Sequence, residues 1–220
     1  DGSTLDSASI IDDISTTDHG DALEVDEELV LHILRLRGFV TSEGFEESLG
    51  VHPAPLLTAL IELGQVRYVE KRGIYALLPP GKDRHESVTD AQSETINADL
   101  AEPYRAFLEL NTALKALCTR WQMYGDEPND HSDSEYDQRC IEELGRIQVA
   151  SDPVIESLAA AVPRLIRYES RLRHSAQLAA AGDPKMFTGV ACGSFHDVWM
   201  ELHEDLIVLQ RIDRTEEKSF

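Results

Sequence analysis

The stretch LIELGQVRYVEKRGIYALL, residues 60–78, decides the fold of the first third of the chain. It opens with apolar residues at helical spacing, and Gly64 ends this pattern. Two β-prone runs follow, at residues 66–70 and 74–78. A short basic segment with a glycine, KRG at residues 71–73, separates the two runs. This order predicts a helix followed by a β-hairpin with a basic tip.

Two further helices are predicted before this stretch. From Asp26 the apolar residues recur at helical spacing until Gly38. Thr41 or Ser42 is placed to cap a second, short helix that Gly50 ends. A third helix, opened by two prolines, then leads into the hairpin. The sequence therefore predicts three helices and a hairpin over residues 26–85.

This order of elements resembles the winged helix-turn-helix domains of MarR-like and related bacterial regulators. Residues 60–66 (LIELGQV) look like the end of the recognition helix in that family, and residues 73–81 (GIYALLPPG) look like its return strand and following turn. Leu78 and Pro79 stand where the family usually has leucine and threonine. The resemblance covers residues 26–85 only, and it implies a bacterial transcriptional regulator that binds DNA as a dimer.

The third helix departs from the family pattern because it has no Lys or Arg between His52 and Gly64. Basic residues lie on the hairpin instead, where they can reach phosphates or the minor groove. The residues expected at DNA are His52 and Thr58 near the bases, and Arg67, Lys71 and Arg72 on the backbone. The competing interpretation is an acidic protein-interaction module that acts as a regulatory or accessory subunit. Exposed apolar surface on the third helix would favour it.

The charge of the chain limits where DNA can bind. Lys plus Arg number 20 and Asp plus Glu number 41, which gives a formal net charge of -21. Residues 1–25 carry seven acids and no base, the composition of an acidic disordered tail, whereas residues 26–85 are nearly neutral. Phosphate contacts are therefore expected only within residues 26–85. The tail either keeps the protein soluble or masks the basic hairpin.

The second half of the sequence predicts an all-helical domain that dimerises or senses a ligand. Residues 86–103 are predicted as a polar linker, and the helical pattern starts at Tyr104. Breaks are expected at Pro153 and Pro163. The last helix, residues 194–212, has one apolar face, as is typical of a bundle or dimer helix. The fold class is therefore mostly α, with an N-terminal winged helix-turn-helix joined to helices.

One row of side chains in this half is a candidate ligand site. Arg164, Arg167, Arg171 and His174 recur at helical spacing, so that their cationic groups could hold a carboxylate or phosphate effector. The alternative is a solvated face that pairs with acids on neighbouring helices.

No metal, cofactor or catalytic site is predicted. His196, Met200 and His203 share a helix face, but structural roles for the two histidines are favoured over a metal site. The acidic loop at residues 126–137 lacks the glycine and the final glutamate of a calcium loop. Residues 201–204 (ELHE) are predicted as a charged helix surface.

Cys118, Cys140 and Cys192 are widely spaced and are predicted to be buried thiols in a reducing compartment. No apolar run reaches the length of a membrane span, and no signal segment is recognised. We therefore expect a cytoplasmic protein without enzymatic activity.

Overall fold

The computed structural model describes residues 24–213. Of these residues, 74% are helical and 8% lie in strands, so that a mostly helical fold with a small antiparallel sheet is confirmed. The acidic tail falls almost entirely outside the described residues. Within the described part, no helix has the length and apolar character needed to cross a membrane.

Residues 27–77 contain three helices and a three-stranded antiparallel sheet. The elements are α1 (Glu27–Arg37), β1 (Phe39–Thr41), α2 (Ser42–Leu49), α3 (Ala54–Glu62), β2 (Val66–Val69) and β3 (Ile74–Leu77). The strand order is β1-β3-β2, so that β3 is central and β2 lies at an edge. A 3-10 turn at Glu70–Arg72 and Gly73, in the left-handed region, connect β2 to β3.

The ends of α1 and α2 follow capping residues in the sequence. Asp26 accepts a hydrogen bond from the N–H of Leu29 at 2.8 Å, and the Thr41 hydroxyl accepts one from the N–H of Gly44 at 3.1 Å. Gly38 ends α1 with φ 76°, a conformation that costs glycine little. The boundaries predicted at these residues are confirmed.

The segment predicted as a linker, residues 86–103, is helical. One helix, α4 (Pro79–Gln122), continues from the end of β3 into the second half, which corrects both the linker and the start at Tyr104. The sequence hides the start of this helix because three buried positions before the apolar Ile96 and Leu100 are polar: His85, Thr89 and Ser93. Such a face has helical spacing but no hydrophobic period.

The remaining elements form the helical half with α4. They are β4 (Met123–Tyr124), β5 (Glu127–Pro128), α5 (Ser134–Ala161), α6 (Arg167–Ala180), α7 (Lys185–Thr188) and α8 (Phe195–Gln210). The break predicted at Pro163 is confirmed, because a 3-10 turn, Pro163–Ile166, separates α5 from α6. The break predicted at Pro153 is wrong. Pro153 lies inside α5, where the buried neighbours Ser151 and Ile155 hold the helix against the core despite the missing N–H.

The apolar face of α8 packs inside the chain itself. Trp199, Leu202 and Leu206 are each at most 1% exposed and belong to the core of the helical half. The indole Nε1–H of Trp199 donates to Asn111 Oδ1 on α4 at 3.0 Å. This helix therefore serves as a bundle helix, and its apolar face is not left for a second copy.

Two glycines in helices are expected to respond oppositely to substitution by alanine. A Cβ at Gly81 would lie 2.4 Å from the backbone oxygen of Gln65, so α4 could not approach the α3–β2 turn. Gly81→Ala should lower the free energy of unfolding by about 1–3 kcal/mol. A Cβ at Gly145 meets nothing within 4 Å among the described residues, so Gly145→Ala should raise it by about 0.5–1 kcal/mol. Urea denaturation measures both, and equal effects would contradict this packing.

Candidate functional site

The β2–β3 hairpin, residues 66–77, presents three cations to solvent and is called the basic hairpin here. Arg67 on β2 and Lys71 and Arg72 in the turn are exposed. Within residues 24–213, no carboxylate forms an ion pair with any of the three. Arginines elsewhere do form such pairs, as Arg84 does with Glu27. The basic hairpin therefore keeps uncompensated positive charge on an acidic chain.

The two residues expected to read bases are placed differently. Thr58 is exposed on α3, and its hydroxyl donates to the backbone oxygen of Ala54 at 3.0 Å. His52 is half-buried, with its ring centroid 6.2 Å from that of Tyr75 on β3. Its Nε2 is buried and has no hydrogen-bond partner among the described residues. The face of α3 thus offers few donors for base edges.

Large apolar side chains are exposed at the C-terminal end of α3 and on β2. Ile61 is 39% exposed, Leu63 59% and Tyr68 47%. In the helical half, the large exposed apolar residues are spread over separate elements: Val88, Tyr124, Val149, Ile166 and Val190. Two other large apolar residues of the first part, Phe39 and Val51, are 63% and 50% exposed, so exposed apolar area lies on several of its elements.

The predicted row of arginines binds carboxylates of α8. Arg171 holds Glu201 in a fork, with both Nη–Oε distances at 2.9 Å. Arg164 Nη2 donates to Asp205 Oδ1 at 2.9 Å, and Arg167 lies 3.7 Å from an oxygen of each carboxylate. In this structure the three guanidinium groups are therefore occupied by acids of a neighbouring helix, as the alternative had it, but the face they form is largely buried and not solvated.

The fourth member of the predicted row, His174, is exposed on α6 and stands outside this cluster. The hydroxyl of Tyr168, a residue that was not predicted as part of the site, takes part instead. It donates to Asp205 Oδ2 at 3.0 Å and is fully buried.

Two residues of α1 extend this cluster into the first part of the chain. Arg37 Nε donates to Glu201 Oε2 at 2.9 Å, and His32 Nε2 lies 2.9 Å from Asp205 Oδ1. We call the set the buried ion-pair network; its members are His32, Arg37, Arg164, Arg167, Arg171, Glu201 and Asp205. Because removing one partner of a buried pair leaves the other charge uncompensated, the network holds α1 against α6 and α8.

The hydrogen bonds of His32 fix the protonation of a second histidine. His32 Nδ1 lies 2.9 Å from His85 Nε2. If the Asp205 carboxylate accepts from Nε2–H of a neutral His32, then Nδ1 of His32 must accept from Nε2–H of His85. Arg164 Nη2, 3.3 Å from His32 Nε2, donates to Asp205 rather than to the ring. Nδ1 of His85 is then left as a buried acceptor, with no partner among the described residues.

The electrostatics of the network favour charged carboxylates and neutral histidines. Burial alone would raise the pKa of Glu201, but Arg171, Arg37 and Arg167 overcome it and lower the pKa to about 2. Burial opposes the charge of Asp205 as well, yet Arg164 and His32 hold its pKa well below its usual range. Burial, and then His32, lowers the pKa of His85 to about 4, and burial also lowers the pKa of His32.

The predicted helix-face set of His196, Met200 and His203 does not converge. His203 is 1% exposed, with its ring centroid 5.2 Å from that of Phe107, and His196 is half-exposed. Within residues 24–213 no group of three potential ligands is close enough to hold a metal ion. The prediction that residues 201–204 form a charged surface is wrong, since Glu201 and His203 are both buried.

A cleft of about 810 Å³ is lined by α1 and α2 on one side and by α8 and the loop before it on the other. Phe39, Glu43 and Asp197 are among its lining residues, and Arg37 and Glu201 of the buried ion-pair network also line it. A molecule in this cleft would therefore contact the ion pairs that join the two parts of the chain.

No protein-family model, curated protein or solved structure matches this chain. Its functional residues are therefore identified by their contacts alone. Sequence reasoning missed the carboxylates Glu201 and Asp205 and the histidines His32 and His85. One signal was present: Glu201 and Asp205, four residues apart, each precede a leucine of the apolar face of α8, and so border its buried stripe.

Proposed function

We propose that residues 26–85 form a winged helix-turn-helix and that the protein is a transcriptional regulator whose basic hairpin binds DNA. The observation that carries this proposal is the set of three exposed, unpaired cations on the hairpin of a chain with net charge -21. The element order, with a helix before β1 and a sheet order of β1-β3-β2, supports the fold assignment.

The proposed mode of binding is dominated by phosphate contacts. Because α3 carries no base and Thr58 donates to its own helix, base reading by α3 contributes little, and Arg67, Lys71 and Arg72 supply most of the affinity. We also propose that the protein acts as a dimer. A ligand bound to the helical half would change the spacing of the two DNA-binding units. The cleft beside Arg37 and Glu201 is the place from which such a ligand would act.

A salt titration of DNA binding tests this proposal. The triple variant Arg67→Ala, Lys71→Ala and Arg72→Ala should weaken binding at least about tenfold at low salt, and should reduce the slope of log K against log salt by up to about 3. Fluorescence anisotropy with the upstream region of its own gene and with an unrelated duplex measures both quantities.

The matched control replaces three exposed arginines of the helical half, Arg105, Arg139 and Arg146, with alanine. It makes the same change in net charge, so its affinity and slope should stay near those of the unmodified chain. Absence of binding to either duplex at low salt, or an equal loss in both triple variants, would overturn the proposal.

The second candidate function is a protein-interaction module that serves as a regulatory or accessory subunit. The specific observation in its favour is the exposure of Ile61 and Leu63 at the end of a helix that carries no base. Buried apolar anchors beside a polar rim are typical of protein interfaces. This candidate predicts no salt-dependent DNA binding, so the same titration separates the two functions.

A further inference from the structure

The end of α3 and the basic hairpin follow each other directly in the chain, and together they expose apolar and positively charged side chains. Leu63 and Ile61 supply apolar area, and Arg67, Lys71 and Arg72 supply positive charge within the next nine residues of the chain. Glu62 and Glu70 are also exposed there, so that the cations exceed the acids by one. A ligand for this surface needs apolar side chains with acids between them.

Residues 1–23 of the same chain have this chemistry. The segment contains six aspartates and no Lys or Arg, and it also contains five branched apolar residues: Leu5, Ile10, Ile11, Ile14 and Leu23. The run IIDDI at residues 10–14 alternates apolar and acidic groups most densely. The rest of the chain carries a net charge of -15, which is -21 without the six aspartates of the segment, and so repels the segment, whereas the basic hairpin attracts it.

The point where this segment joins the described chain lies within its reach of the hairpin. Arg84 of α4 binds Glu27 and Gln65, so the start of α1 lies beside the α3–β2 turn. Glu24 lines a small cavity with Val88 and Gln92, which places it about 15–21 Å along α4 from the end of the hairpin. An extended segment of this length spans up to about 76 Å.

We propose that residues 5–14 bind in cis to the surface formed by the end of α3 and the basic hairpin. The isoleucines cover Ile61 and Leu63, and the aspartates neutralise Arg67, Lys71 and Arg72. Because the segment is tethered to the same chain, its effective concentration at this surface is high. It therefore competes with DNA or with an acidic partner for the surface. The contact itself requires neither of the two proposed functions.

Paramagnetic relaxation enhancement in the full chain tests the contact. Cys192 is exposed, which corrects the prediction that all three thiols are buried. Cys192→Ser removes this thiol, and a nitroxide is attached to Ser9→Cys. Burial raises the pKa of Cys118 and Cys140, so these thiols do not compete for the label at neutral pH. Amide signals of residues 61–72 should broaden more than those of exposed residues on α5, and added salt should reduce the difference.

Matched variants distinguish this contact from general proximity. The Arg67, Lys71 and Arg72 alanine triple, and separately Ile10, Ile11 and Ile14→Ser, should abolish the selective broadening, whereas the Arg105, Arg139 and Arg146 alanine triple should retain it. Two results would overturn the proposal. One is equal broadening of amide signals over the whole protein surface. The other is broadening that arises only when a labelled chain is mixed with unlabelled chains, which would show contact between copies. Since no DNA is present, this result is independent of the DNA titration.

Discussion

Replacing Asp205 with alanine is expected to lower the free energy of unfolding by about 3–5 kcal/mol. Asp205 is fully buried and accepts hydrogen bonds from Arg164, from Tyr168 and from His32, at 2.9, 3.0 and 2.9 Å. Without the carboxylate, Arg164 loses its ion-pair partner, and Arg167 keeps Glu201 as its one remaining carboxylate among the described residues. The cost is that of uncompensated charge rather than of one lost contact.

Urea denaturation followed by circular dichroism measures this effect. Asp99→Ala is the control because Asp99 is an exposed carboxylate inside helix α4. That variant should change the free energy of unfolding by no more than about 0.5 kcal/mol. A loss below 1 kcal/mol in Asp205→Ala would show that the network carries little of the stability.

The position of Asp205 also makes it a link between the two parts of the chain. His32 belongs to α1 and Arg164 to the turn before α6, so a single carboxylate joins elements that are far apart in sequence. Arg37 and Glu201 make a second such link. In the proposed regulator, a ligand in the adjacent cleft would alter these ion pairs, and α4 would transmit the change as a continuous helix from the hairpin to the helical half.

Local signals in the sequence predicted element boundaries well. Asp26 and Thr41 cap helices through hydrogen bonds to nearby backbone N–H groups, and Pro163 ends a helix where its ring prevents the helix from continuing. Such effects depend on residues within one helical turn. They are therefore readable from a single sequence.

Long-range packing of polar groups could not be read in the same way. The first half of α4 was mistaken for a linker because His85, Thr89 and Ser93 face the interior in place of apolar residues. The three arginines of the predicted row do meet at α8, but Arg164 lies in the turn before α6 and His174 is outside the cluster, and nothing local indicated that the partners are Glu201 and Asp205. Burial of charge depends on the whole fold, whereas periodicity detects only apolar faces.

The histidine pair is expected to make the protein less stable as the pH falls from 7 to 4. In the unfolded chain a histidine gains its proton near pH 6.5, whereas in the folded chain the pKa of His85 is about 4 and that of His32 is also lowered. Between these values the unfolded state binds more protons, so stability is lost as the pH falls. The loss from His85 should approach about 1.4 kcal/mol per pH unit in this window, and His32 adds a loss of the same sign.

The variant His85→Gln isolates this effect. The glutamine amide keeps a donor for His32 Nδ1 but does not titrate, so the slope of unfolding free energy against pH between 6.5 and 4 should decrease while the contribution of His32 persists. His174→Gln, at an exposed site on α6, should leave the slope unchanged. Urea midpoints at half-unit pH intervals provide the measurement, and an unchanged slope in His85→Gln would contradict a buried neutral His85.

Below about pH 4.5 a second loss of stability follows, because Glu201 has a folded pKa of about 2 and its protonation removes the charge that Arg171 and Arg37 bind. The two windows overlap only narrowly, so the histidine and carboxylate contributions can be resolved in one titration.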